Sequence, residues 1–348
     1  MIRILIADDS PTMTIFLKLI LAKEPDFEVI GLANNGLEAV QLARSLKPDI
    51  IIMDVNMPIM DGLEATRLIL QERPLPILIF SALLDDPKLK ITFRAIEEGA
   101  LAILSKPTNI TDPRFNSFKQ ELLTTIHELA KIDNVGAKIK SSRIKLALKS
   151  PHEHAFNKQT RYEVVTLGAS IGGPLALQTI FSNLPINYPL PILLVQHMVS
   201  GFTEAFAEWI QKFSHLKIQI ASDNTVIDPG IVYIAPDNYH IILARYSGNL
   251  YIKLNQHALY KEHRPSINIL FDSAAEVCPG TAIGGLLTGM GDDGPQGLLN
   301  MHNQNCFTFV EDIKDCVMSS MVKSAIQIKA INKIVPLNEI SKTLVTLL

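Results

Sequence analysis

The stretch Glu163-Val164-Val165-Thr166-Leu167-Gly168-Ala169-Ser170-Ile171-Gly172-Gly173-Pro174 decides how the larger part of this chain is read. A β-branched, apolar run ends abruptly in small residues. Pro174 then opens a segment in which Leu175, Leu177, Ile180 and Phe181 recur at helical spacing. That pattern is strand, tight turn, helix, with Ser170 at the bend. Gly168-Ala169-Ser170-Ile171-Gly172 fits the G-x-S-x-G elbow, which stands a serine above a sheet edge. The glycines supply backbone freedom that a side chain would deny. Ser170 is therefore a candidate hydrolytic nucleophile. A glycine-rich turn before a helix also suits a phosphate, or serves only as a connection, and the turn alone leaves this open.

Working outward, two more apolar strands end in polar groups. Pro191 to Val195 runs into Gln196-His197-Met198, and Ala282 to Leu287 runs into Thr288-Gly289-Met290-Gly291-Asp292-Asp293-Gly294. A histidine at a strand end beside a serine at a neighbouring strand end is where a general base belongs. Serine stays protonated at neutral pH, so it needs a neutral imidazole to take its proton and a carboxylate to hold the imidazole. Ser170, His197 and Asp293 supply that set, in a chain order that differs from the familiar serine hydrolases and points to a separate fold. Taken alone, the Asp-Asp-Gly loop reads equally as a turn or a cation site. Between these strands, Thr203 to Phe213 reads as an amphipathic helix. His240 to Leu254 reads as a hairpin about Ser247-Gly248-Asn249.

The first third alternates differently. Apolar runs at Ile2–Ala7, Phe27–Ala33, Asp49–Met53, Ile77–Phe80 and Leu101–Leu104 are separated by helical patterns, predicting a doubly wound parallel sheet. Asp8, Asp9, Asp54, Ser81 and Lys106 all fall at strand C-terminal ends, where open α/β sheets bind ligands. Three crowded carboxylates repel one another and call for a hard divalent cation. Mg²⁺ is expected on Asp9 and Asp54 and the carbonyl of Asn56, with Asp8 beside them and Lys106 facing an incoming phosphoryl oxygen.

The totals bound the rest. A chain of 348 residues exceeds one ordinary core, so two domains are expected. A net charge of −3 suggests neither nucleic acid nor a membrane surface as partner. Three cysteines, Cys278, Cys306 and Cys316, suit a reducing compartment and lack metal-ligand spacing. No charged n-region with a cleavable apolar stretch opens the chain, so neither signal peptide nor membrane insertion is expected, and the location is expected to be cytoplasmic. Residues 129–161 are basic and poor in packing residues, which reads as a solvated linker, although a basic run also suits an acidic partner.

Asp8-Asp9-Ser10, Asp54, Met57-Pro58, Asp61-Gly62, Ser81 and Lys106-Pro107 resemble the response-regulator receiver domain, over about residues 1–128. The resemblance implies a flavodoxin-like fold, phosphorylation of Asp54 by a histidine kinase, and a phosphoryl switch through Ser81 and Lys106. The switch aromatic of that family falls at Ile103 here. Residues 162–348 resemble the chemotaxis protein-glutamate methylesterases. The motifs that carry this are Gly168-Ala169-Ser170, Gly172-Gly173, Gln196-His197-Met198, Gly201-Phe202-Thr203, Tyr233-Ile234-Ala235-Pro236, His263-Arg264-Pro265-Ser266 and Thr288 to Gly294. This resemblance implies a Rossmann-like parallel-sheet hydrolase. Its reactions are hydrolysis of glutamate γ-methyl esters on chemoreceptors and deamidation of receptor glutamines, in chemotactic adaptation, without a cofactor in that domain. It makes Ser170 the nucleophile, His197 the base and Asp293 the orienting acid, with Asp292 the weaker choice. Ile171, Gly172 and Met290 fall at the oxyanion side of the cleft. Ile171 stands where threonine is common, Val310 to Asp315 departs from the usual Ala-Gln-Asp-Glu pattern, and Ser320-Met321-Val322 replaces Gly-Met-Pro. Those departures leave a degenerate, non-catalytic binding module as the alternative. Control is expected from the receiver covering the Ser170 cleft until Asp54 carries a phosphoryl group.

Overall fold

The central strands of each domain carry apolar runs that demand burial on both faces, which helices packed on both sides of a parallel sheet provide. In this computed structural model the chain divides into two compact units, Met1–Ile144 and Lys145–Leu348. The structure describes residues 1–81, 93–107, 115–132, 153–154, 156, 161–261 and 263–348. Most of the basic stretch expected as a linker lies outside the described residues. Of what is described, Leu129 and Ala130 belong to a helix. His154 exchanges backbone-to-side-chain hydrogen bonds with Asn187, which fastens that residue.

The first unit is a five-stranded parallel sheet with strands β1 Ile2–Ala7, β2 Phe27–Ala33, β3 Ile50–Met53, β4 Ile77–Ser81 and β5 Ala102–Ser105. Helices α1 Pro11–Leu21, α2 Gly36–Leu46, α3 Gly62–Glu72 and α4 Phe115–Ala130 accompany them. The order β2-β1-β3-β4-β5 reverses direction between β1 and β3. The residues just past those two strands therefore flank the crevice where such sheets take ligands. Local capping fixes the turns: Ser10 accepts from the Met13 N–H and Asp61 from the Glu64 N–H, each occupying an orphan donor at a helix start.

In the second unit the parallel strands are β6 Val164–Ala169, β7 Ile192–Gln196, β8 Lys217–Ile220, β10 Ile231–Ile234, β13 Ala282–Leu286, β14 Phe307–Glu311 and β15 Lys333–Val335. They lie in the order β15-β14-β13-β6-β7-β10-β8. A separate antiparallel sheet, order β11-β12-β9, joins β9 Thr225–Val226 to the hairpin β11 His240–Tyr246 and β12 Asn249–Asn255. The helices are α5 Gly173–Phe181, α6 Thr203–Gln211, α7 Ile267–Val277, α8 Pro295–Asn303, α9 Ser320–Gln327 and α10 Ile340–Thr346. Strand β6 sits in the middle, with β13 on one side and β7 on the other. Their ends are level, since Gly168 pairs with both Leu286 and Val195. The three loops that follow β13, β6 and β7 are thus brought to one edge of the sheet.

Candidate active site

The turn after β6 works because its glycines meet close neighbours. A Cβ on Gly168 would lie 2.3 Å from Cγ2 of Ile267, so only a glycine lets α7 approach β6 there. Gly172 has φ +82°, the left-handed region that favours glycine, and it begins α5 with Pro174 in the first turn. Between them Ser170 is held by its backbone. Its N–H donates to the Thr288 carbonyl at 3.0 Å, and its carbonyl accepts from the Gly173 N–H at 2.8 Å. The serine residue is 9% exposed.

His197 follows β7, and its N–H donates to the Ala169 carbonyl at 2.8 Å, tying the two strand ends together. Its Nε2 lies 2.9 Å from Asp293 Oδ2. The other ring nitrogen, Nδ1, is buried and has no hydrogen-bond partner among the described residues. No hydrogen bond joins it to Ser170 here. The Gln196 side-chain amide donates to the carbonyls of both Ser170 and His197, at 2.9 and 2.8 Å.

Asp293 is 1% exposed and fully engaged. Besides His197, its Oδ2 accepts from the Ile267 N–H at 2.7 Å. Its Oδ1 accepts from the Asn268 N–H at 3.0 Å and the Ser266 hydroxyl at 2.8 Å. The carboxylate therefore lies across the N-terminus of α7, where unpaired N–H groups favour negative charge. Burial pushes its pKa up, but the hydrogen bond and charge of His197 and the two helix N–H groups outweigh this and hold it below the ordinary range. Its neighbour Asp292 points elsewhere, pairing with Lys261 at 2.6 Å on the exposed rim. The structure thus brings Asp293, and not Asp292, to the imidazole.

Around Ser170, the N–H groups of Ile171 and Met290 donate to no group among the described residues. Thr288 braces both sides of this space: its hydroxyl donates to the carbonyl of Ile171 at 2.9 Å, and its N–H to Glu311 at 2.8 Å. Ser320, one of the atypical residues, accepts from the Gly291 N–H and donates to the Gly289 carbonyl, fixing the loop that carries Met290. Four partners escaped the reading of single residues: Gln196, Ser266, His263 and Glu311. The first three lie inside recognised motifs, yet their contacts span dozens of residues. Glu311 lies in the atypical stretch, and an acid closing the run Phe307-Thr308-Phe309-Val310 is its only signal in the sequence.

In the first unit, one ligand oxygen from each of Asp8, Asp9 and Asp54 lies within 4.8 Å of the others. Lys106 Nζ bridges Asp54 Oδ2 at 2.7 Å and Asp8 Oδ2 at 2.8 Å. Burial pushes the Asp54 carboxyl above its ordinary range; Lys106 pulls it down, Asp8 adds repulsion, and the balance is upward. Burial opposes the Lys106 charge, but Asp54 and Asp8 together raise its pKa. Three hard oxygen donors against one ammonium leave negative charge in excess, which fits a divalent cation. Asn56 contributes its N–H to Asp54 Oδ1 at 3.3 Å. A Cβ on Gly62 would lie 1.9 Å from the Asp54 carbonyl oxygen, so this glycine is what allows α3 to start so near the site. Ser81 is buried at the end of β4, and its carbonyl accepts from the Lys106 N–H at 2.8 Å.

Comparison with known proteins gives the two halves separate matches. Residues 165–344 match the family model of the CheB methylesterase, and residues 4–113 that of the response regulator receiver domain. The chain is 36% identical over 349 residues to a protein-glutamate methylesterase/protein-glutamine glutaminase of Nitrosospira multiformis, covering 100% of this chain and 97% of that protein. It is 34% identical over 346 residues to the protein of the same name from Thermotoga maritima, covering 99% and 98%. The crystal structure of the Thermotoga maritima CheB methylesterase catalytic domain matches with a TM-score of 0.53 at 35% identity, covering 54% of this chain and 99% of that one. The chain belongs to the CheB methylesterase family, carrying a response regulator receiver domain ahead of the catalytic one.

Proposed function

We propose that this chain hydrolyses the γ-methyl esters of glutamates on chemoreceptors and deamidates receptor glutamines. In this reading Ser170 is the nucleophile, His197 the base and Asp293 the orienting acid, and phosphorylation of Asp54 controls the rate. The observation that carries the reading is the 2.9 Å pairing of the buried Asp293, whose pKa is held below the ordinary range, with the His197 ring, at the strand edge where Ser170 stands.

The chemistry follows from that pairing. Asp293 takes the Nε2–H, which leaves the Nδ1 lone pair as the basic face. As Ser170 Oγ attacks the ester carbonyl, its proton passes to Nδ1, and Asp293 stabilises the imidazolium. Hydrogen bonds of this kind tighten once substrate is in place, so an open Nδ1 is compatible with the role. Charge developing on the carbonyl oxygen is taken up by the N–H groups of Ile171 and Met290. Main-chain donors need no particular side chain, so isoleucine serves where threonine is common. The imidazolium returns its proton to the methoxy oxygen and methanol leaves. Water, deprotonated by His197, then attacks the acyl-serine and releases glutamate and Ser170. With glutamine the leaving group is ammonia.

In the receiver, Asp9, Asp54 and the Asn56 carbonyl would hold Mg²⁺, with Asp8 in support. When bound, the ion screens the carboxylates and the incoming phosphoryl oxygens. Asp54 is the carboxylate that accepts the phosphoryl group from a histidine kinase. Lys106 then pairs with the new phosphoryl oxygens, and Ser81 is the hydroxyl through which the change is felt. No helix among the described residues is long and apolar enough to cross a membrane. A cytoplasmic protein meeting the cytoplasmic helices of its receptors fits this chemistry.

The test is methanol release from a receptor fragment methylated on its glutamates, by the full chain with and without a small phosphodonor. Release that rises with the phosphodonor and is lost in Ser170→Ala and His197→Ala is expected. Undiminished release by Ser170→Ala would overturn the serine mechanism, and no release by the unaltered chain would favour a non-catalytic binding role.

A further inference from the structure

A second histidine lies flat against the base. The rings of His197 and His263 are 4.0 Å apart between centroids and 8° from parallel. His263 sits in the loop before α7, paired through its backbone to Tyr260, three residues before the Ser266 that binds Asp293. It is thus anchored to the same helix start that anchors the orienting carboxylate.

Resting on the mechanism above, we propose that His263 is a positioning residue whose ring face holds the His197 imidazole in the plane that aims Nδ1 at Ser170. The Asp293 bond fixes the Nε2 edge of the ring. It constrains poorly the rotation about Cβ–Cγ that swings Nδ1 above or below that plane. A flat partner in van der Waals contact opposes that rotation on one face. Misplacement of a reacting group by about 1 Å costs on the order of a hundredfold in rate, so a passive contact of this kind has a large lever.

The partner must also be uncharged. His197 becomes a cation during each half-reaction, and a neutral π face favours a cation above it, whereas a second imidazolium would repel it. Burial, followed by the charge of His197, holds the His263 pKa down to about 4, against the opposing pull of Asp293 and Asp292. His263 therefore stays neutral over the working range even with two acids near it. Lys261 in this loop pairs with Asp292. Arg264, the residue after His263, donates to Asn238 Oδ1 and to the carbonyls of Gln256 and His257.

The test uses the full chain and the methylated receptor fragment, comparing His263→Phe with His263→Leu. Both fill the space, and only phenylalanine keeps a flat neutral face. The leucine variant is expected to lose roughly 10–100-fold in kcat with KM within about twofold, and phenylalanine to keep kcat within about threefold of the unaltered chain. Thermal unfolding checks that both variants fold. A leucine variant with undiminished kcat, a loss confined to KM, or a folded phenylalanine variant as slow as leucine would each overturn the proposal. A parallel His197→Ala separates the two levels: if it retains turnover, the mechanism itself is wrong, whatever the His263 variants do.

Discussion

The side-chain amide of Gln196 reaches the carbonyl of Ser170 at 2.9 Å, and the same nitrogen reaches the carbonyl of His197. One amide thus couples the backbone of Ser170 to that of His197. Gln196→Leu removes this coupling. The Ser170 carbonyl keeps the Gly173 N–H, so the stability loss should be only about 1 kcal/mol, while kcat falls roughly tenfold through misplacement. Urea midpoints and single-turnover methanol release would separate the two. Unchanged kcat with lowered stability would make the contact purely architectural.

Asp293 is bonded to both the His197 ring and a helix start, so on the proposed mechanism Asp293→Asn should cost activity and fold together. Turnover is expected to fall by about 10³–10⁴, because an amide cannot hold the required tautomer. The pH dependence has a definite sign. The folded pKa lies below the ordinary 3.8, so the carboxylate contributes stability above that value and loses it as pH falls through the depressed folded one. The stability gap between the unaltered chain and Asp293→Asn, read from urea midpoints, should therefore narrow on acidification below 3.8. A gap independent of pH would contradict the ion-pairing account.

In the receiver the sign is reversed. The Asp54 pKa is raised, so its ionised form is disfavoured by folding, and that cost is present above its folded pKa and relieved below it. Asp54→Asn should raise the thermal midpoint of the receiver transition at neutral pH without Mg²⁺. Added Mg²⁺ should raise the midpoint of the unaltered chain and shift the variant less. Equal shifts in both would remove Asp54 from the ion's ligands. The variant should also take up no phosphoryl group from a small phosphodonor.

Gly289 approaches Ser170 so closely that a Cβ there would lie 2.8 Å from Cβ of Ser170 and 2.2 Å from Met321 Sδ. Methionine can give way; the serine turn cannot without moving Ser170. Gly289→Ala should destabilise the catalytic domain by roughly 1–3 kcal/mol and reduce kcat more than KM. Full activity in that variant would mean that the turn is looser than its packing indicates.

Much of this was readable from the chain because strand ends announce themselves. Apolar runs broken by Ser170, His197 and Asp54 mark both the sheet and its ligand edge, and parallel order does the gathering. What could not be read are contacts that depend on how loops return. Ser266 signals a helix start in sequence, and nothing local says that its hydroxyl binds Asp293. Strands β8, β14 and β15 are short or flanked by ordinary residues, so their patterns were too weak to separate from loop. His263 belongs to the His263-Arg264-Pro265-Ser266 motif, but nothing in that motif says that its ring lies against His197, since ring stacking has no sequence period.

The placement of Asp293 across the first turn of α7 has an evolutionary consequence. The aspartate is bonded to the first turn of α7 as well as to His197, whereas no hydrogen bond of the Ser170 hydroxyl ties it to the architecture among the described residues. A descendant that abandoned hydrolysis would be held to its acid and released from its serine. In this lineage, persistence of the aspartate is a poor witness to activity, and loss of the serine a good witness against it.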